Sequence, residues 1–182
     1  MGPNWFIAFP MQVEGLHLPP APPRVRVFGA SDLHVTLGFL GSVQEAEAKK
    51  AWDLVGTFSS FRRVTGTFDW VKPLGNPRKP SALSAIVGDG SEALSEMIAE
   101  ARAPLLAAAD VPPDDRPPLP HMTLARVQRR AKGAERREAL RWAEALDVGE
   151  ATFAVQSVAL YTWSTDRPKR LFQIVERHEL SR

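Results

Sequence analysis

Two histidines in this sequence stand two residues before a threonine, each inside an apolar stretch. The first lies in LHVTLGFLG, residues 33–41, and the second in PHMTLAR, residues 120–126. Both tetrads read His-x-Thr-Leu, although the chain has only four histidines. A single His-x-Thr pair is typical of a half-exposed strand without any chemistry, but a repeat of the tetrad predicts a shared site.

Strand geometry predicts which side chains of these stretches act together. Residues i and i+2 of a strand point to the same side. His34 therefore shares a face with Thr36, and His121 shares a face with Thr123. The other face of the first strand is apolar and should be the core face, with Leu33, Val35, Leu37 and Phe39 on it. Both histidines are thus predicted on polar faces of anchored strands.

Two imidazoles beside two hydroxyls suit a phosphodiester. The hydroxyls can donate to its oxygens, one imidazole can take a proton from water, and the other can protonate the leaving oxygen, since imidazole has an ordinary pKa near 6.5. A zinc site would need three or four ligands. The chain has no cysteine, and neither motif contains a carboxylate. We therefore expect acid–base catalysis without a metal or another cofactor.

The composition is that of an ordinary globular protein. The 182 residues are 44% hydrophobic and 24% charged. No apolar run approaches the ~18 residues that span a bilayer, and the N-terminus lacks the basic segment of a signal peptide. The absence of cysteine fits the cytoplasm. The net charge is only +2, but seven basic residues lie between residues 126 and 141, which suits a polyanionic partner or a solvated helix face.

The rest of the chain alternates predicted strands with helices. We expect strands at WFIAFP, stopped by Pro10, and at residues 25–28, 33–41, 61–73, 81–88, 121–128, 151–165 and 170–180. We expect helices at residues 42–58 with Ser42 as N-cap, at 90–109 with a bend at Pro104, and at 132–146. Residues 11–24 and 110–120 are rich in proline and are predicted as loops.

The paired motifs resemble those of the 2H phosphoesterase superfamily, and in particular its RNA 2′,3′-cyclic phosphodiesterases, also called 2′-5′ RNA ligases. The opening WFIAFP and the closing residues 159–180 extend the resemblance along the chain. It implies an α+β fold over residues 1–182, a single bilobal domain. Two antiparallel sheets with outer helices would be related by a pseudo-twofold axis, with the active-site cleft between them.

The resemblance also implies an activity and roles for named residues. The enzyme would hydrolyse a terminal 2′,3′-cyclic phosphate of RNA to a 2′-phosphate, and could also run reversible 2′-5′ ligation. His34 would be the general acid and His121 the general base, although a pseudo-twofold site permits the reverse. Thr36, Thr123 and Arg126 would bind the phosphate. Simple alternation turns Arg126 away from His121, so its entry into the cleft requires strand twist or a bulge.

Other functions and departures from the family pattern remain open at this stage. The substrate could instead be a small cyclic nucleotide or ADP-ribose cyclic phosphate, or the chain could be a non-catalytic RNA-binding module. The proline-rich residues 11–24 stand where relatives commonly have a helix, and Phe172 is expected in the core. We expect a cytoplasmic monomer that acts on RNA ends and not at membranes.

Overall fold

The computed structural model describes residues 2–182, in which nine strands, three α-helices and two short 3-10 helices, Ala30–Asp32 and Val55–Thr57, form. The strands are β1 (Trp5–Glu14), β2 (Val25–Val27), β3 (His34–Gly41), β4 (Val64–Leu74), β5 (Ala82–Val87), β6 (His121–Val127), β7 (Thr152–Val155), β8 (Ser157–Trp163) and β9 (Phe172–Glu179). The helices are α1 (Glu45–Trp52), α2 (Ser91–Ala108) and α3 (Gly133–Glu144). The predicted α+β class is confirmed.

Antiparallel pairing connects all nine of these strands. They follow the order β2-β6-β5-β4-β7-β1-β8-β9, and β3 pairs with both β1 and β6. One half of this network, β1, β3, β8 and β9, carries the first histidine. The other half, β2, β4, β5 and β6, carries the second. The two predicted sheets are therefore hydrogen-bonded into one network: β7 pairs with β1 and β4, and β3 meets β6 where the two motifs lie.

The helices cover the faces of the strands that the motifs leave apolar. In α2 the buried side chains recur at helical spacing and form a stripe that packs on β3 and β4: Leu94, Met97, Ile98, Ala101 and Leu105. Pro104 lies inside α2 without ending it. On the other half, Ala139 and Ala143 of α3 pack against Leu83, Ala125 and Val127 of β5 and β6. None of the helices in residues 2–182 has the length and hydropathy to cross a membrane.

The prediction that Pro10 ends the first strand is wrong. β1 pairs with β3 as far as Pro10, which lies opposite His34, and then pairs with β7 from Met11 to Glu14. Proline removes one ladder donor. Here it stands where β1 changes partner, so the strand tolerates it. The predicted loop of residues 11–24 accordingly begins as strand.

Two further boundaries differ from their predictions. Helix α1 begins at Glu45 after Gln44, and Ser42 is not its N-cap, because the Ser42 hydroxyl donates instead to Asn4 Oδ1 at 2.9 Å. The predicted strand of residues 151–165 is divided at Gln156 into β7 and β8. The two parts pair with different segments of β1, and a change of partner interrupts the ladder.

Candidate active site

The two His-x-Thr motifs lie side by side on β3 and β6. These strands are antiparallel, with Val35 opposite Met122. Continuing that register by one residue in each direction places His34 level with Thr123, and His121 level with Thr36. Val35 and Met122 are buried, whereas the two histidines and two threonines are half-buried. All four polar side chains therefore share the face opposite to the core, as the alternation predicts.

Each motif contains a β-bulge at its leucine. In β3, Gly38 and Thr36 pair with consecutive residues of β1, so Leu37 is the extra residue. In β6, Ala125 and Thr123 pair with consecutive residues of β5, so Leu124 is the extra residue. The seven residues from each histidine onward have the same order of buried and accessible positions. The two strands are thus local copies of one backbone geometry.

We call the face that carries the two histidines and two threonines the cleft face. Each bulge places the fifth residue after the histidine on that face. In β3 that residue is Phe39, which is 56% exposed, so its predicted place in the core is wrong. In β6 it is Arg126, which the bulge turns to the face of His121. The sequence signal is the apolar pair after each threonine, Leu-Gly or Leu-Ala, which breaks strict alternation. The equal offsets of Phe39 and Arg126 from their histidines could have revealed Phe39 as a candidate site residue.

Backbone carbonyls fix the orientation of both imidazole rings. His34 Nδ1 is 2.7 Å from the carbonyl oxygen of Asp32, and His121 Nδ1 is 2.6 Å from that of Leu119. A carbonyl can only accept a hydrogen bond, so each Nδ1 must carry the proton and donate it. In the neutral imidazoles this leaves Nε2 as the basic nitrogen. In each ring, Nε2 is therefore the nitrogen that is available to accept a proton.

Aromatic rings surround His34. The centroid of its imidazole lies 4.9 Å from that of Phe6, 5.4 Å from that of Tyr161 and 5.5 Å from that of Phe172. Burial among them lowers the pKa of His34 from 6.5 to about 4, and the bond to the Asp32 carbonyl opposes this only in part. His34 is accordingly neutral at pH 7 in the free protein.

Cations rather than rings distinguish the surroundings of His121. Burial is the main cause that lowers its pKa, and the Leu119 carbonyl opposes the effect. The positive charges of Arg116, Arg102 and Arg126 lower the pKa further. The neutral form of His121 is therefore favoured by the charges around it.

The threonine of the second motif belongs to a short hydroxyl pair. Thr123 Oγ1 lies 3.1 Å from Ser84 Oγ, across from it on β5. Ser84 is fully buried. If Ser84 donates in this pair, the hydroxyl hydrogen of Thr123 is free to point into the cleft. Ser84 was not identified from the sequence, and its position 39 residues away gave no local signal.

Asp32 is a second residue that sequence analysis missed. It is 2% exposed, and its carboxylate accepts hydrogen bonds from the backbone N–H groups of Leu171, at 2.9 Å, and Phe172, at 3.1 Å. These bonds tie the segment before β3 to the start of β9. The same residue supplies the carbonyl that orients His34. Phe172 is half-buried against the His34 ring rather than wholly in the core.

The basic stretch of residues 126–141 is split between the two faces of the sheet. Arg126 lies on the cleft face, whereas α3 packs on the opposite face through Ala139 and Ala143. In addition, the guanidinium of Arg136 donates to the carbonyls of Ala131 and Gln128, which is a structural role. Partial loss of hydration lowers the pKa of Arg126, but an arginine stays charged in proteins. Arg126 is therefore the member of this stretch best placed to meet an anion.

A large cavity lies beside His34 but does not include either histidine. Its volume is about 870 Å³, and its lining includes Leu33, Tyr161, Phe172, Arg170 and Arg177. The Tyr161 hydroxyl is buried there without a hydrogen-bond partner among residues 2–182, and burial raises its pKa. Within residues 2–182, no group of three His, Asp or Glu side chains is arranged to hold a metal ion.

Solved structures match the chain along nearly its whole length. LigT from Escherichia coli, complexed with 3′-AMP, gives a TM-score of 0.67 at 20% sequence identity and covers 100% of both chains. A structure of a phosphoesterase gives 0.68 at 21% identity, again with 100% of both chains covered. TT0787 of Thermus thermophilus gives 0.62 at 20% identity over 97% of each chain. No protein-family model matches the chain, and no curated protein sequence does.

These likenesses establish the fold. The chain has the α+β fold of the LigT and phosphoesterase structures, with the strand that carries each His-x-Thr motif at the junction of the two halves. The resemblance drawn from the two tetrads is therefore confirmed at the level of fold.

Proposed function

We propose that the protein is a metal-independent phosphodiesterase that hydrolyses the terminal 2′,3′-cyclic phosphate of RNA to a 2′-phosphate. The observation that supports this most is the antiparallel junction of β3 and β6, which gathers two Nε2 atoms and two hydroxyls on one face. Structures of E. coli LigT with 3′-AMP and with phosphate show that this fold binds a nucleoside phosphate and a free phosphate in that protein. In the proposal residues 1–182 act as one bilobal, monomeric, cytoplasmic domain.

The proposed reaction moves two protons and exchanges one phosphorus–oxygen bond. Nε2 of His121 accepts a proton from water, and the water oxygen bonds to phosphorus. The bond from phosphorus to O3′ breaks, and Nε2 of His34 gives its proton to O3′. Thr36 and Thr123 donate to the non-bridging oxygens. Arg126 stabilises the charge that develops on the phosphate.

The electrostatics of the free protein fit the base more readily than the acid. Cations near His121 favour its neutral form, as a base requires. Burial opposes protonation of His34, as the low pKa shows. A phosphodiester anion bound between the rings opposes that effect, since a nearby negative charge favours the protonated imidazole. In this mechanism, binding of the substrate raises the pKa of His34 and so favours the protonated form that the acid requires.

The direct test uses an RNA oligonucleotide that ends in a 2′,3′-cyclic phosphate. Purified protein, incubated with it in the presence of EDTA, should release a 2′-phosphate end, identified by phosphorus NMR or by its position in chromatography. A 3′-phosphate product would contradict the proposed leaving group. Activity that EDTA abolishes and a divalent ion restores would contradict the metal-independent mechanism. The reverse reaction is tested by supplying a 5′-hydroxyl RNA and assaying for a 2′-5′ linkage.

A further inference from the structure

In the proposed function only the terminal nucleotide of the RNA occupies the site, so the rest of the strand must lie elsewhere on the protein. A surface for it must adjoin the cleft, and α3 lies on the wrong face of the sheet. The described residues include two aromatic side chains that are large and more than half exposed, Trp70 at 57% and Phe39 at 56%. Phe39 lies on the cleft face of β3. Trp70 has no role in the proposed reaction, so its position needs an explanation.

Strand pairing places Trp70 in the same cross-strand row as His121. On β5, Ile86 is opposite His121. On β4 the pairing shifts between Phe68 and Val71, so that two residues, Asp69 and Trp70, stand opposite Ile86 alone. This is a bulge, which re-aims side chains at the edge of a sheet. Side chains in one row of a sheet share a face, so Trp70 belongs to the face that carries His121.

The burial of its neighbours supports this orientation of Trp70. Phe68 is 3% exposed, and Val71 packs against the buried cluster beneath α3. These two side chains therefore point away from the cleft, and Trp70 between them points toward it. The carboxylate of Asp69, the other bulged residue, lies against Gly88.

A basic residue lies next to Trp70 on the same face. Lys72 is opposite Ser84 on β5, and Ser84 is opposite Thr123 on β6. Lys72 is exposed, and it makes no ion pair among residues 2–182. Its row leads directly to the hydroxyl pair of Ser84 and Thr123. An ammonium group is thus available close to the proposed phosphate site.

Strand spacing places Trp70 within two strands of His121. Neighbouring strands are ~4.8 Å apart, so β4 lies roughly 10 Å from β6 along the sheet. His121 is level with Thr36, and Phe39 lies beyond Thr36 on β3. Both exposed aromatic residues are therefore at the His121 end of the junction, on opposite sides of it. Arg126 lies at the other end.

We propose that Trp70 is a stacking platform for the base of the nucleotide on the 5′ side of the terminal one, and that Lys72 binds the phosphate between them. A nucleobase stacks on an aromatic side chain whatever its identity, because every base has a π-face. The platform would make this protein prefer an oligonucleotide to a cyclic mononucleotide without specifying a sequence. The inference rests on the proposed function and assigns the RNA strand a path over β5 and β4.

The test compares a cyclic mononucleotide, adenosine 2′,3′-cyclic phosphate, with the dinucleotide ApA that ends in the same group. Stacking is worth ~1–3 kcal/mol per base when measured by alanine substitution, or about 5- to 150-fold. Trp70→Ala should lower kcat/KM for the dinucleotide by about 5- to 150-fold and leave kcat/KM for the mononucleotide unchanged. Trp70→Phe should retain part of the preference. Val175→Ala, on the exposed side of β9, is the matched control and should change neither substrate.

Lys72 is tested by salt dependence. For single-stranded nucleic acid, removing one cation that neutralises a phosphate reduces the slope of log K against log salt by about 0.7. Lys72→Gln should reduce the slope for dinucleotide binding by about that amount and leave the slope for the mononucleotide unchanged. An unchanged slope for the dinucleotide would remove Lys72 from the path.

A binding assay separates failure of this inference from failure of the proposed function. If the wild-type protein hydrolyses neither substrate, the proposed function is wrong. The platform is then judged by the affinity for ApA with a 3′-phosphate against 3′-AMP, measured by calorimetry. If Trp70→Ala weakens binding of the dinucleotide and leaves binding of 3′-AMP unchanged, the platform is supported. An equal loss for both ligands, or no loss for either, would overturn it.

Discussion

The strands β3 and β6 have the same backbone geometry and very different surroundings. Each presents a histidine and a threonine, bulges at the following leucine, and exposes the fifth residue after the histidine. On β3, aromatic rings surround the histidine, and the exposed fifth residue is Phe39. On β6, arginine charges surround the histidine, and the exposed fifth residue is Arg126. In the proposed mechanism, this difference in surroundings gives the two imidazoles different roles at one phosphate.

The largest effect should come from removing either imidazole. His34→Ala and His121→Ala should each lower kcat by about 10²–10⁴-fold, the usual contribution of one general acid or base. Both side chains lie on the face opposite to the core, so the circular dichroism spectrum of each variant should resemble that of the wild type. Near wild-type turnover by either variant would show that the two strands do not share the chemistry.

Substitution of the fifth residue after each histidine, Arg126 or Phe39, should separate the contribution of charge to activity from that of stacking. Arg126→Ala should lower kcat by about 10²–10³-fold, as loss of a donor to developing negative charge does, and Arg126→Lys should restore activity only in part because it lacks the planar fork. Phe39→Ala should cost about 10-fold if the terminal base stacks there, and Phe39→Leu should not restore it. All four variants are measured by steady-state kinetics on the dinucleotide ApA that ends in a 2′,3′-cyclic phosphate. Equal losses for the two alanine variants would contradict the division between charge and stacking.

The pH dependence should move with substrate binding. Both histidine pKa values are lowered from 6.5 in the free protein, that of His34 to about 4. The bell-shaped profile of kcat/KM, which reports the free enzyme, should therefore have its maximum below pH 6.5. A bound phosphodiester anion raises both pKa values, so the maximum of kcat should lie at higher pH. The two limbs describe the coupled pair and not individual residues. Identical profiles for kcat and kcat/KM would contradict the rise in the pKa of His34 on substrate binding.

Burial of His34 should also make the fold sensitive to acid. Between pH 6.5 and about 4 the unfolded chain binds a proton at this residue and the folded chain does not, so stability is lost as the pH falls through this window. The largest loss is on the order of 3 kcal/mol. His34→Gln should reduce that loss, as measured by urea unfolding from pH 7 to pH 4. His17→Gln, at an exposed loop residue, controls for the substitution itself. If the free energy of unfolding of His34→Gln falls with pH as steeply as that of the wild type, the His34 site is not desolvated.

Local sequence patterns predicted the parts of the site that depend on period-two alternation alone. His34, Thr36, His121 and Thr123 share their expected face because each pair lies before its bulge. Phe39 lies after the bulge, so alternation gave the wrong side. A bulge depends on the register of the partner strand, which a single stretch of sequence does not contain.

Contacts between distant segments account for the rest of what was not predicted. Asp32 reaches Leu171 and Phe172 across 139 and 140 positions, and nothing near Asp32 in the sequence indicates this. Pro10 was read as a strand breaker, which is its usual effect, but the change of partner from β3 to β7 made it tolerable. In both cases tertiary structure decided the role of a residue whose local tendency pointed elsewhere.

The central claim, that β3 supplies the acid and β6 the base, is tested most directly by changing the leaving group. In a substrate whose O3′ is replaced by sulfur, the leaving group needs little protonation. The account predicts that this substrate restores the activity of His34→Ala far more than that of His121→Ala, when each is compared with its rate on the normal substrate. Restoration of His121→Ala instead would reverse the two roles, and restoration of neither variant would contradict acid catalysis by a histidine at the leaving oxygen.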